Sequence, residues 1–136
     1  MNTERGADSF PLLYLLEREN EMKDYVNRLQ YKDKDYPMVF NLNVMERIQD
    51  EYGSLEEWGN MTDGSQGEPN AKAVIFGFTE MINEGIDIEN EEKGSDVKPL
   101  TFKQVGRLIT EYGLIKATQE MNRAVIESTK SEEKNA

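Results

Sequence analysis

The sequence predicts an α+β fold that is predominantly helical, with an N-terminal β-hairpin followed by four or five short helices. Two short runs of apolar and aromatic residues flank a polar turn between residues 27 and 40. After them, apolar residues repeat at helical spacing in successive stretches, each bounded by a glycine or a capping residue. The length of 136 residues fits one domain.

The hairpin is indicated by the runs NRLQY and YPMVF on either side of KDKD. Pro37 cannot donate a hydrogen bond to a neighbouring strand, so we expect its strand at an edge of the sheet. Residues 41–43, Asn-Leu-Asn, can then cap a helix. The hairpin should therefore lead directly into the first helix.

Two helices follow the hairpin. The first has its apolar residues on one face and is expected to end at Gly53; these residues are Val44, Met45, Ile48 and Tyr52. Ser54 and Glu57 then have the spacing of a capping box, which begins a short second helix. Trp58, the single tryptophan, lies in this helix and is assigned to the core.

The clearest helical pattern follows Pro69, which we expect in the first turn of the helix. Its apolar stripe consists of Ala71, Val74, Ile75, Phe78, Met81 and Ile82. Gly85 is expected to end this helix, and residues 84–96 to form an acidic loop with six acids and one lysine.

Metal binding by this acidic segment is not expected. Asp87, Glu89 and Glu91 alternate as the ligands of an EF-hand loop do. However, Glu92 stands where that loop requires glycine, and Lys98 stands where it requires glutamate. A solvated run of charges is the better interpretation.

Two more helices complete the chain. Thr101 and Gln104 form a second capping box, and the helix after it should end at Gly113. Its apolar face consists of Phe102, Val105, Leu108, Ile109 and Tyr112. The last helix should run from Leu114 to about Glu127.

A DNA-binding helix-turn-helix is an alternative interpretation of this last pair, because EYGL resembles the turn of that motif. Ile109 stands where the motif requires a small residue, and Gln119 and Asn122 occupy its later core positions. The basic residues of the second helix are also offset by Glu120 and Glu127. An ordinary αα-hairpin is favoured.

The predicted organisation is one domain over residues 22–130, preceded by an appendage at 1–21 and followed by a polar tail at 131–136. The appendage contains the apolar run FPLLYLL, too short to cross a bilayer. Met22 directly precedes the better-patterned sequence and could be the true start.

Composition narrows the function. The absence of cysteine and histidine removes thiol chemistry, the commonest general base and most zinc sites, so we expect no enzyme and no cofactor. A net charge of -11 argues against nucleic acid as a partner. The expectation is a cytoplasmic binding protein without a membrane partner.

Three apolar residues lie away from the core stripes of their helices and are candidates for contact with a partner: Phe76, Ile115 and Ile126. The alternative is that their helices are buried on two sides.

Three stretches resemble the tail assembly chaperones of long-tailed bacteriophages and prophages: YPMVFNLNVMERIQDEYGSLEEWGNMTDG, AKAVIFGFTEMINEGIDIEN and PLTFKQVGRLITEYGLIKATQEMNRAVIEST. The resemblance covers about residues 25–130. It implies a non-enzymatic factor in the bacterial host cell that binds the helical, apolar tape-measure protein while tail-tube subunits polymerise. Tail-tube protein is the implied second partner, and self-association is left open.

The resemblance also implies a longer form made by ribosomal frameshifting near the end of the reading frame. Residues 133–135, Glu-Lys-Asn, can be encoded by a slippery heptamer. The alternative functions are an acidic mimic of nucleic acid that occupies a DNA-binding protein and, more weakly, a helix-turn-helix regulator.

Overall fold

The structure is a computed structural model that describes residues 27–135, with side chains for residues 28–129. A two-stranded antiparallel hairpin precedes five helices within these residues, which confirms the predicted fold class. The elements are β1 (Asn27–Tyr31), β2 (Lys34–Met38), α1 (Leu42–Tyr52), α2 (Leu55–Thr62), α3 (Ala71–Lys93), α4 (Phe102–Tyr112) and α5 (Leu114–Asn135). The predicted appendage at 1–21 and Met22 lie outside the described residues.

The hairpin closes through a two-residue turn formed by Lys32 and Asp33, and its register pairs Asn27 with Met38. Lys32 adopts a left-handed conformation, with φ of 59°. Arg28, opposite Pro37, connects the hairpin to α3 because it donates to Glu89 at 2.5 Å as well as to Asp35 at 2.8 Å. Val39, just after β2, donates its N–H to the carbonyl of Met81 at 3.1 Å. The hairpin is therefore fixed on α3 from both strands.

The central element is α3, a helix of 23 residues that packs against β2 and all four other helices. It begins at Ala71 behind the N-cap Asn70, so Pro69 precedes the cap instead of lying in the first turn. The expectation that Gly85 ends this helix is wrong. A Cβ at Gly85 would lie 2.8 Å from the Cβ of Pro37, so glycine here permits β2 to approach the helix.

Helix α3 instead continues to Lys93, and Gly94 caps it in the left-handed conformation with φ of 64°. The predicted acidic loop at 84–96 is therefore mostly helical. One acid of this stretch, Glu84, is buried, and Glu89 lies within 3.9 Å of Lys93, four residues further along. Burial of Glu84 and of Ile86 holds the first part of this stretch against the domain, and the exposed ion pair adds little.

Trp58 lies in the core, as predicted, with 1% of its surface exposed. Its indole N–H donates to the carbonyl of Ala73 at 2.9 Å. A Cβ at Gly77 would overlap the ring carbon Cζ2 of Trp58 and lie 3.0 Å from the sulfur of Met121. Helices α2, α3 and α5 therefore meet at the bare backbone of Gly77.

An extended strap, residues 95–100, returns along α3 toward α4. Asn90 accepts from the N–H of Val97 at 3.0 Å and donates to its carbonyl at 2.9 Å. Three residues further along the strap, the N–H of Leu100 donates to the side chain of Asn83 at 2.8 Å, and the amide of Asn83 donates to the carbonyl of Leu100 at 2.9 Å. Two amide side chains on α3 thus satisfy backbone groups of the strap in the way a neighbouring strand would.

The last two helices begin and turn as the sequence predicts. Both hydrogen bonds of the capping box of Thr101 and Gln104 are present, at 3.1 and 2.9 Å. Gly113, with φ of 103°, separates α4 from α5. Helix α5 extends to Asn135, beyond the expected end near Glu127. No glycine or proline follows Glu127, and residues 130–134 are good helix formers apart from Ser131.

Replacing the glycine beneath the tryptophan tests this packing. We expect Gly77→Ala to destabilise the domain by about 1–3 kcal/mol, because the added methyl group displaces the indole ring. Gly106→Ala is the matched control, since its Cβ would make an ordinary contact at 3.6 Å with Ile75 and should stabilise α4 by about 0.5–1 kcal/mol. Urea unfolding followed by the fluorescence of Trp58 measures both; equal stabilities would contradict the packing argument.

The strap offers a second test. Asn83→Ala should leave the N–H and carbonyl of Leu100 without partners and lower the free energy of unfolding by about 1–3 kcal/mol. Amide hydrogen exchange of Leu100 should accelerate more than that of Val97, which Asn90 still holds. Asn122→Ala, on the outer side of α5, is the control; equal acceleration at both strap residues would show that the strap opens as a unit.

Candidate functional site

The three predicted partner residues are placed in two different environments. Ile115 and Ile126 are 63% and 58% exposed on α5. Phe76 is half-buried, and its ring packs edge-on against Tyr52 of α1 and stacks on Phe102 of α4, at centroid distances of 5.5 and 6.1 Å. The structure therefore groups Ile115 with Ile126 on one helix, while Phe76 takes part in the packing of three helices.

The outer face of α5 is defined here by Ile115, Gln119, Asn122, Ile126 and Thr129. At about 100° per residue, these five side chains fall within an arc of about 80°. The buried residues Ala117, Met121 and Ala124 lie on the other side of the helix. Ile115 and Ile126 are separated by three turns, about 16 Å along the helix axis. The outer face is thus a straight stripe in which two isoleucines flank a polar centre and Thr129 follows at the C-terminal end.

The two borders of this outer face differ. Lys116 and Arg123 lie along one border, exposed to solvent. Lys116 lies 4.7 Å from the centre of the Tyr112 ring, and Arg123 makes a 2.8 Å ion pair with Glu120. Along the other border, Thr118 is buried and Val125 half-buried against the domain. The open border therefore carries the cationic groups.

Charge is divided unevenly along the described residues. Residues 28–96 contain sixteen acidic and six basic side chains, a net charge of -10, whereas residues 97–129 contain three acidic and five basic ones, a net charge of +2. The segment with the positive balance comprises the end of the strap, α4 and most of α5. Sequence reasoning missed this division, although the signal is present in the order of the charged residues.

A second candidate is a polar recess of about 330 Å³ between α1, α3 and the strap. Glu84 accepts there from the side-chain amides of Asn41 and Asn43, at 2.8 and 3.0 Å, and Arg47 lies 3.9 Å away. Asn41 also caps α1 by accepting from the N–H of Val44 at 3.2 Å. These contacts hold the two helices together, and they engage the buried carboxylate of Glu84.

The segment with EF-hand-like spacing cannot present all three of its carboxylates on one side. Asp87, Glu89 and Glu91 lie on α3, where residues two apart point about 200° away from each other. Glu89 is also engaged by Arg28 and Lys93. Within residues 28–129, no three acidic side chains are grouped closely enough to hold a metal ion.

The αα-hairpin formed by α4 and α5 does not present a basic face on the outer side of α5 over residues 114–129. Its exposed outer side carries Ile115 and Ile126 in place of a row of cations for phosphate groups, and Arg123 is paired with Glu120. An acidic mimic of nucleic acid is not favoured either, because two of the acids at 84–96 serve internal contacts. The outer face of α5 is therefore the better candidate site.

Comparisons give no further assignment: no protein-family model, curated protein or solved structure matches the chain. None of the helices in the described part of the chain is long and apolar enough to span a bilayer.

The aromatic cluster around Phe76 provides a test. The hydroxyl of Tyr52 is shielded from water without a hydrogen-bond partner among the described residues. At pH 7 we therefore expect Tyr52→Phe to leave stability unchanged or raise it by about 1 kcal/mol.

The same variant tests pH dependence. Burial, and secondarily the charge of Glu51, raises the pKa of Tyr52 above its ordinary value of 10.0. The folded state favours the neutral phenol, so this contribution to stability is present below about pH 10 and is lost as pH rises through the folded pKa. Urea midpoints should fall more steeply above pH 10 for the wild type than for Tyr52→Phe; parallel curves would contradict the shift.

Proposed function

We propose that this protein is a non-enzymatic tail assembly chaperone of a long-tailed bacteriophage or prophage, which binds a helical segment of the tape-measure protein through the outer face of α5. The observation that supports it is the exposure of Ile115 and Ile126 on one stripe of a helix whose opposite side is buried. An exposed apolar stripe on a helix is a common docking surface for a partner helix. The identity of the client comes from the resemblance of residues 25–130 to this family.

The charge of the domain supports the same function. A chaperone must keep an apolar client in solution, and a body with a net charge of -10 over residues 28–96 opposes aggregation of the complex. The apolar stripe lies outside that acidic segment, on α5. Client binding and solubility are thus assigned to different parts of the chain. On this proposal the protein acts in the cytoplasm of the bacterial host, with tail-tube protein as a second partner.

Co-expression with the tape-measure protein of the same genome tests the proposal. We expect the client to remain soluble and to co-purify with the wild-type chain. Ile115→Asp combined with Ile126→Asp should reduce binding at least about tenfold, because charged groups replace the apolar contacts. The fold should be unaffected, since both side chains are exposed in the free protein.

Leu42→Asp is the matched control, because Leu42 is 68% exposed but lies on α1. It should bind the client as the wild type does. Phe76→Ala should lower stability by about 2 kcal/mol through lost packing with Tyr52 and Phe102. A client that binds the Ile115/Ile126 double variant normally would refute the assigned site.

The gene supplies an independent observation. The codons for residues 133–135 should contain the slippery heptamer, followed by an overlapping frame and then a long gene for a helical tape-measure protein. A neighbourhood without tail genes would remove the phage assignment, although the α5 surface could still bind another helix.

A further inference from the structure

We propose that the outer face of α5 is a short heptad seam that pairs with an acidic amphipathic helix, in a register set by Gln119 and Asn122. The inference rests on the proposed function for the identity of the client, and it deepens that function by naming the chemistry of the bound segment. It follows from the spacing of the seam, its polar centre and the charges at its border.

The spacing is that of a two-stranded coiled coil. From Ile115 the outer face advances by four, three, four and three residues, through Gln119, Asn122 and Ile126 to Thr129. Alternating steps of three and four keep one stripe facing a partner helix, whereas the core side of α5 already faces the domain. The free stripe therefore has the geometry to receive one further helix over about four turns.

The centre of the seam is polar. Gln119 is exposed and Asn122 half-exposed, and they lie between the two isoleucines. An amide at a core position of a coiled coil lowers affinity but selects the register in which it meets another polar group. A partner helix should consequently carry apolar residues about three turns apart, with a polar residue between them.

The border of the seam selects an acidic partner. Lys116 and Arg123 each follow a seam residue by one position, where coiled coils place charges that face the other helix. Arg123 is paired with Glu120, but an exposed pair on one helix is weak and can be exchanged for a carboxylate of the partner. Glu120 and Glu127 balance these two cations within α5, but both acids lie further around the helix from the seam, so Lys116 and Arg123 are the charges nearest to a partner.

A second copy of α5 fits this border poorly. In an antiparallel pair, Lys116 and Arg123 would face the same residues of the other copy and repel them. In a parallel pair they would face Thr118 and Val125, which carry no charge. Neither arrangement supplies carboxylates at the border. The chemistry favours a different, acidic helix.

Two synthetic helices of 28 residues test the inference against the full chain. Both have a leucine seam with one central asparagine; one has glutamate at all positions beside the seam and the other has lysine. We expect the glutamate peptide to bind at least about tenfold more tightly, measured by fluorescence anisotropy at physiological salt. The total charge of -11 predicts the opposite order, so the comparison separates a local effect from a global one.

Variants identify the surface. Lys116→Glu combined with Arg123→Glu should reverse the preference between the two peptides. Ile115→Asp combined with Ile126→Asp should abolish binding of both. Gln119→Leu combined with Asn122→Leu should tighten binding and should remove the advantage of the peptide with asparagine over one with leucine at that position. Leu42→Asp should change none of these affinities.

Other outcomes would overturn the inference. A preference for the lysine peptide, or binding that survives the isoleucine substitutions, would each contradict it. A concentration-dependent dimer that is lost in the isoleucine variants would show that a second copy occupies the face. Peptide binding only after Leu13→Asp and Leu16→Asp would show that the chain's own N-terminal apolar run occupies it. If the client co-purifies through α5 but neither peptide binds, the inference fails and the proposed function stands. If the glutamate peptide binds as expected and the tape-measure protein does not, the proposed function fails instead.

Discussion

The contact of the Trp58 indole with the backbone of α3 at Gly77 is the constraint on which the rest of the arrangement depends. The ring lies where a Cβ would be, and its N–H donates to the carbonyl of Ala73 one turn earlier. Met121 of α5 reaches the same point, so this glycine positions α2 and α5 together. Two turns further on, Gly85 admits Pro37 in the same way and fixes the hairpin. The direction in which α5 presents its outer face follows from this packing.

The local elements of the fold could be predicted from the sequence, because their causes are local. Asn41, Ser54 and Thr101 each cap a helix within three residues of themselves. Gly85 could not be interpreted in this way. A glycine in a helical pattern signals either an end or a close approach of another element, and only the distant Pro37 decides between them. The length of α3 was therefore underestimated for a tertiary reason.

The candidate site also combines features with a local cause and features that depend on distant residues. Helical periodicity identified Ile115, Ile126 and Phe76 by one argument, their angle away from a core stripe. The angle is sufficient for α5, where Ile115 and Ile126 are exposed, but not for α3, where Tyr52 and Phe102 from two other helices cover Phe76. Periodicity describes one helix and contains no information about its neighbours. The positive balance of residues 97–129 likewise could be assigned to an element only from the structure: it lies in the end of the strap and in α4, because the charges of residues 114–129 in α5 cancel.

The form of the proposed surface has a consequence for how a client would be released. The outer face of α5 spans about four turns of one helix, so it would bury far less area than the 1,200–2,000 Å² or so of a stable complex. Gln119 and Asn122 reduce its affinity further, in exchange for a defined register. A partner held this way can be displaced by subunits that bind the client over a longer stretch. No buried element needs to open, since the face is already exposed in the folded chain. Weak binding in a defined register would suit an assembly factor that must leave its client before assembly is complete.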